Sequence, residues 1–120
     1  MTAMSGTAEI GIIGGSGLYR LGLLTDPRSV EVSTPFGEPS GPIVVGGLAG
    51  RRVAFLARHG TGHRLTPTEV PARANIYALH SLGVRQVVGV NAVGSLRERY
   101  APGELVVPDQ LLDRTLGLRP

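Results

Sequence analysis

Three short loops of this chain carry residue types that can grip an anion. Gly14-Gly15-Ser16-Gly17 follows the apolar run Glu9-Ile10-Gly11-Ile12-Ile13. The backbone N–H groups of such a loop can close on an oxyanion, and the Ser16 hydroxyl adds a further donor. Arg58-His59-Gly60-Thr61-Gly62-His63 follows a second apolar run. Its guanidinium suits planar, two-point contact with phosphate or carboxylate, and its glycines permit close approach. Asn91-Ala92-Val93-Gly94-Ser95 ends a third run and offers an amide side chain and backbone N–H groups. Each loop also has a plainer reading: a tight turn, a solvated loop with idle histidines, a turn with a side-chain cap. Ligands of open α/β sheets bind where strands end, so three such loops point jointly to one pocket for a phosphate-sized anion.

Other chemistries are excluded by what is missing. All twelve basic residues are arginines, and neither lysine nor cysteine occurs. A Walker-type phosphate loop and Schiff-base catalysis both need a lysine. Disulfides, thiolate nucleophiles and sulfur-ligated zinc need cysteine. His59 and His63 could begin a metal site, but no carboxylate or third ligand lies near them in sequence, so no metal is expected. His80 reads as an ordinary helix-surface residue. The dinucleotide fingerprint fails as well, because the register starting at Gly15 puts Arg20 where the last glycine belongs.

The elements that must position these loops follow from periodicity. Residues 9–13 read as a buried strand, 30–33 as a second strand with period-two alternation, and 43–48 and 52–57 as two more joined by a tight Ala49-Gly50 hairpin. A proline-rich loop spans 34–42, and a polar surface loop 58–68. A helix follows, with Pro71 at its first position and Gly83 as its left-handed cap; Ala72, Ile76 and Leu79 mark its apolar face, with Leu82 beside them. The nearly continuous apolar run 84–90 predicts a central parallel strand covered on both faces, and 104–107 a last strand closing at Pro108. Helix followed by buried strand makes the class α/β.

Composition bounds the rest. With 120 residues the chain is one domain at most, and its 42% hydrophobic content argues against disorder. Residues 1–8 read as a flexible N-terminus, with Met4 as an alternative start. No apolar run approaches the roughly 18 residues a membrane span needs, and no secretion signal opens the chain, so no membrane partner and a cytoplasmic location are expected. The formal charge of +3 raises nucleic acid as a partner. Scattered arginines and five aromatics, however, give no basic surface on which bases could stack, so no nucleic-acid partner is expected.

The runs GIIGGSGLY, TPFGEPSG, ARHGTGH, RANIYALHSLG, NAVGSLRE, PGELVVPDQ and DRT, in this order, resemble the S-methyl-5′-thioadenosine phosphorylases of the trimeric purine nucleoside phosphorylase superfamily. The resemblance begins near Glu9 and continues to Thr115. It implies a phosphorylase-type mixed β-sheet flanked by helices, of which residues 9–120 would be the N-terminal part of a single domain. It implies a pentosyltransferase: inorganic phosphate attacks the anomeric carbon of a purine nucleoside, releasing the purine and leaving a (methylthio)ribose 1-phosphate, a reaction of purine and methionine salvage. The alternative is a truncated, non-catalytic fragment that binds anion or nucleoside.

Carried onto this sequence, the family's phosphate contacts fall on Ser16, Arg58, His59, Asn91 and Ala92, with Arg58 as the main charge. Phosphate is a co-substrate, no cofactor is implied, and the assembly implied is a homotrimer. Chains of this family run to roughly twice this length, about what one α/β domain takes. The residues that protonate the purine would lie beyond residue 120, and Asp109 and Asp113 do not stand in for them. Asn91 occupies a position where methylthioadenosine members commonly have threonine and looks more like the asparagine of general purine nucleoside phosphorylases. The choice between 6-amino and 6-oxo purines, and between methylthio and hydroxyl at the 5′ carbon, stays open. Pro71 replaces a usually polar residue, and 116–120 departs from the family's polar continuation. A chain lacking half its sheet is expected to leave strand edges and apolar faces bare.

Overall fold

In the computed structural model, residues 6–19 and 22–117 are described. The start at 1–5, with Met4, and the last part of the departure at 118–120 lie outside them. The glycine-flanked apolar run forms strand β1 (Ile10–Gly14) and passes directly into a one-turn helix, α1 (Ser16–Tyr19). Strand β2 (Thr25–Val30) ends where the alternating 30–33 segment had been expected to begin. Its Pro27 is tolerated because β2 lies at the sheet edge, with an irregularity between Thr25 and Arg28. Strands β3 (Ile43–Leu48) and β4 (Arg51–Ala57) form the expected hairpin. Ala49 and Gly50 both have positive φ, 51° and 77°, the turn geometry that matches strand twist.

Helix α2 (Ala72–Ser81) starts one residue later than expected, with Pro71 just outside it. It closes on a paired cap: the Gly83 N–H donates to the His80 carbonyl at 3.0 Å and the Val84 N–H to that of Leu79 at 3.2 Å, with Gly83 at φ 94°. Its inward face is not the expected one. Ala74, Asn75, Ala78 and Leu79 are buried, whereas Ala72 and Ile76 face solvent. The sequence stripe was rotated because alanine and asparagine carry little apolar signal, yet small residues let the helix lie close to the sheet.

The sheet is mixed, in the order β2-β3-β4-β1-β5, where β5 is Gln86–Gly89. β4, β1 and β5 run parallel, with Gly14 opposite Ala57 and Ile13 opposite Gly89; β2, β3 and β4 alternate in direction. Helix α2 connects β4 to β5 across β1 and packs on one sheet face, where Ile43, Val45, Ala54, Leu56, Ala78, Leu79 and Val84 form the core. Gly11 sits tightly here: a Cβ would lie 3.1 Å from Val84 Cγ1 and 3.2 Å from Leu79 Cδ1, so a larger residue would push both side chains back. On the opposite face Ile12, Val44, Val53 and Phe55 line an apolar groove with Leu18 and Leu24.

Three expectations are corrected. The segment 84–90 is not a central strand covered on both faces: β5 is an edge strand, and all four of its residues are exposed. It pairs with β1 on one side, and nothing in 91–117 packs on the other. Residues 104–107 form no strand, and Leu105 is 97% exposed. Ala8, assigned to the flexible start, is buried in the core and donates its N–H to the Leu82 carbonyl at 3.0 Å.

Candidate functional site

β1 lies between β4 and β5, so the three loops singled out in sequence start side by side at the carboxyl end of these strands. The hydrogen bonds of the parallel ladder run on into them. The Arg58 N–H donates to the Gly14 carbonyl at 2.9 Å, and the Val90 N–H to the Ile13 carbonyl at 2.8 Å. The end of β1 thereby fixes where both neighbouring loops begin. Gly14 and Gly15 place no side chain above that end.

Arg58 crosses this gap. Two strand spacings separate β4 from β5, about 10 Å, and the Arg58 side chain spans them. Its Nη1 donates to Asn91 Oδ1 at 2.5 Å and lies 3.3 Å from the Val90 carbonyl. Its Nε lies 3.4 Å from His59 Nε2. Among the described residues the partners of the guanidinium are an amide, a carbonyl and an imidazole, and no carboxylate pairs with it. Its Nη2 edge carries no hydrogen bond to the described residues. That edge is the part of a guanidinium able to meet a second pair of acceptor oxygens.

His59 supports this arrangement. Its Nδ1 lies 2.9 Å from the Leu65 carbonyl, an acceptor that selects the tautomer with the proton on Nδ1. Nε2 is then the lone-pair nitrogen that can accept from Arg58. The Leu65 N–H donates back to the His59 carbonyl at 2.9 Å, closing the loop 59–65 on itself. His63 stacks on His59 with ring centroids 4.4 Å apart. Among the described residues no three metal-ligating side chains gather.

Of the residues singled out in sequence, Arg58, His59 and Asn91 are brought together. Ala92 follows Asn91 in an exposed, irregular segment. Ser16 opens α1, two residues after Gly14 at the same sheet edge, while its hydroxyl lies outside the described groups. Sequence reasoning missed Ser40, Asn75 and Arg64. Ser40 and Asn75 are buried and bonded to each other, and Arg64 Nη2 donates to the Ser40 carbonyl at 2.8 Å. An asparagine amid the alanines of a helix was the available signal.

Glu69 ends a short 3₁₀ turn (Pro67–Glu69), and its carboxylate accepts the Thr66 N–H at 2.8 Å. That backbone bond, with a smaller contribution from the Thr66 side chain, holds the Glu69 carboxyl below its usual range. The turn anchors the polypeptide between the Arg58 loop and α2.

Fold and site together define an α/β protein in which three parallel neighbouring strands end in the loops singled out in sequence. The profile of the phosphorylase superfamily matches residues 9–120, and the chain belongs to that family. It is 63% identical over 114 residues to an S-methyl-5′-thioadenosine phosphorylase of Chloroflexus aurantiacus, covering 95% of this chain and 40% of that protein. It is 62% identical to the enzyme of the same name from Koribacter versatilis, covering 90% of this chain and 37% of the relative.

Among solved structures, a methylthioadenosine phosphorylase from an antarctic soil metagenomic library superposes with a TM-score of 0.72 at 66% identity, over 78% of this chain and 32% of that one. Methylthioadenosine phosphorylase from Schistosoma mansoni in complex with adenine gives the same TM-score at 42% identity, over 81% of this chain and 34% of that one. The chain thus spans well under half the length of the relatives it matches.

Proposed function

We propose that this chain supplies the phosphate site of a nucleoside phosphorylase acting on S-methyl-5′-thioadenosine or a closely related purine nucleoside. The observation that carries the reading is the 2.5 Å bond from Arg58 to Asn91 across the end of β1, which leaves the Nη2 edge of the guanidinium without a hydrogen bond to the described residues. In this reading the Nη2 edge of Arg58 binds phosphate, and the backbone and hydroxyl of Ser16 and the backbone of Ala92 add neutral donors. His59 keeps the guanidinium plane fixed, and Asn91 reaches toward phosphate and sugar.

The chemistry follows from charge. A phosphate oxygen forms the new bond to the anomeric carbon while the bond to the purine nitrogen breaks, and its electron pair leaves with the purine. The sugar passes through a cationic state, which an anion held beneath the ring stabilises. Holding phosphate in line removes much of the entropic barrier as well. The proton taken up by the departing purine comes from groups outside this set. Phosphate is the co-substrate, and the reading uses neither metal nor organic cofactor.

A homotrimeric assembly in the cytoplasm, with no nucleic-acid or membrane partner, belongs to the same proposal. No described helix is long and apolar enough to cross a membrane. On specificity, solved variants of the adenosine/methylthioadenosine phosphorylase from Schistosoma mansoni replace a serine, an asparagine, or both by threonine. Those two residues are separated in sequence as Ser16 and Asn91 are here. We assign the chain a 6-amino purine and a site able to accept either methylthio or hydroxyl at the sugar 5′ carbon.

The test is to follow release of the free base with and without phosphate: adenine from methylthioadenosine and adenosine, hypoxanthine from inosine. Phosphate-dependent release from the first two supports the proposal; release that ignores phosphate overturns it. A second reading, a fragment that binds without turnover, is favoured by the exposure of residues 91–117. Calorimetric binding of phosphate and nucleoside without adenine release would establish it.

A further inference from the structure

We propose that Asn75 is a positioning residue for the anion site, acting through Ser40 on the loop that carries Arg58 and His59. Asn75 is 2% exposed on the inward face of α2, among Ala74, Ala78 and Leu79. Packing there would be served by any small apolar residue, and a buried amide is costly unless bonded. Both ends of this amide bond to one residue. Oδ1 accepts the Ser40 N–H at 2.8 Å, and Nδ2 donates to Ser40 Oγ at 2.9 Å. Ser40 is fully buried, so these bonds are shielded from water and directional, fixing a position more sharply than apolar contact does.

Ser40 in turn seats the Arg58 loop. Its carbonyl accepts from Arg64 Nη2 at 2.8 Å. The same carbonyl lies against Gly60, where a Cβ would approach it to 2.8 Å and where φ is 79°. Gly60 stands two residues after Arg58, and Arg64 just precedes Leu65, whose backbone closes on His59. The line of contact therefore runs from Asn75 to Ser40, then to Gly60 and Arg64, then to His59 and the Arg58 guanidinium. The links are hydrogen bonds, one contact that admits no side chain, and the peptide bonds that join Gly60 to His59 and Arg64 to Leu65. The role in phosphate binding rests on the function proposed above; the placement of Arg58 does not.

The experiment uses the whole 120-residue chain and reads the two separately. Exchange protection of the Arg58 Nε–H and the chemical shift of the Asn91 side-chain amide are followed by NMR without ligand, in wild type, Asn75→Ala, Arg64→Ala and the double variant. Arg64 is exposed, so its variant keeps the core intact if Asn75→Ala fails to fold. Each single variant is expected to lower Arg58 protection at least about fivefold and to shift the Asn91 amide toward its free value. The double variant is expected to go no further than the worse single, because both act through Ser40.

Unchanged Arg58 protection in Arg64→Ala, or in a folded Asn75→Ala, overturns the proposal; so do effects that simply add. Titration with inorganic phosphate is the second arm. An approximately tenfold weakening in the variants supports the link to binding. An Arg58→Ala chain that binds phosphate as well as wild type removes the phosphate reading while leaving the positioning result standing.

Discussion

At the scale of single residues, the proposed site rests on one guanidinium held by His59, the Val90 carbonyl and Asn91. Arg58→Ala should weaken phosphate binding by at least about tenfold, near 1.4 kcal/mol, since charge-assisted bonds to an oxyanion are the strong ones. Arg58→Lys should recover only part of it, because an ammonium cannot bond Asn91 and present a planar edge together. Calorimetry with inorganic phosphate measures both, and equal affinity in wild type and Arg58→Ala would remove Arg58 from the site. Gly60→Ala belongs to the same scale. Its Cβ would meet the Ser40 carbonyl at 2.8 Å in a left-handed backbone, so about 1–3 kcal/mol of stability should be lost in urea unfolding. Arg58, His59 and Asn91 were legible in sequence because their types and their places after apolar runs name the chemistry. Ser40 and Asn75 were not, since a lone serine in a proline-rich loop and an asparagine in a helix acquire meaning only from each other.

At the scale of elements, α2 and its flanking turn hold the loops in place. Leu79 is fully buried against Gly11 and Val84, so Leu79→Ala should cost about 2–5 kcal/mol by the urea midpoint. The turn at Thr66 to Glu69 has a pH signature. Folding depresses the Glu69 carboxyl, so its contribution is present above the ordinary carboxylate range and is lost as pH falls through its folded value. Protection of the amides near Thr66, relative to their unstructured exchange rate, should therefore fall in acid below the ordinary carboxylate range, and Glu69→Gln should abolish that dependence; an unaltered profile in the variant would exclude Glu69 as its source. The rotated face of α2 shows why this element was half legible. Its limits and cap are local chemistry, read from Pro71 and Gly83. Its inward face is decided by which side can approach Gly11 most closely, a fact of the sheet.

At the scale of the whole molecule, the two edges of the sheet differ: β2 is irregular and carries Pro27, whereas β5 is a regular apolar strand. β5 pairs only with β1, its outer edge is bare among the described residues, and Val87 and Val88 are about half exposed. Leu96, Leu105, Leu111 and Leu116 are exposed as well. Such an edge templates strand pairing between chains. The 120-residue chain should self-associate with rising concentration in analytical ultracentrifugation. Val88→Lys should reduce that association while leaving the core intact; a wild-type chain that stays monomeric across the range would contradict the argument.

Sequence alone was enough for the order of β1, β3, β4 and α2, the hairpin at Ala49-Gly50, the α/β class and the placing of three polar loops after apolar runs. These follow from periodicity, turn chemistry and side-chain type, which act over a few residues. Tertiary structure alone decided that β1 sits between β4 and β5, that Arg58 therefore reaches Asn91, that 84–90 is an edge rather than a centre, and that Asn75 grips Ser40. Strand order and burial depend on pairings between residues far apart in the chain, and local pattern cannot rank those pairings. An apolar run reads alike whether covered or bare, and a buried amide is informative only once its partner is in contact.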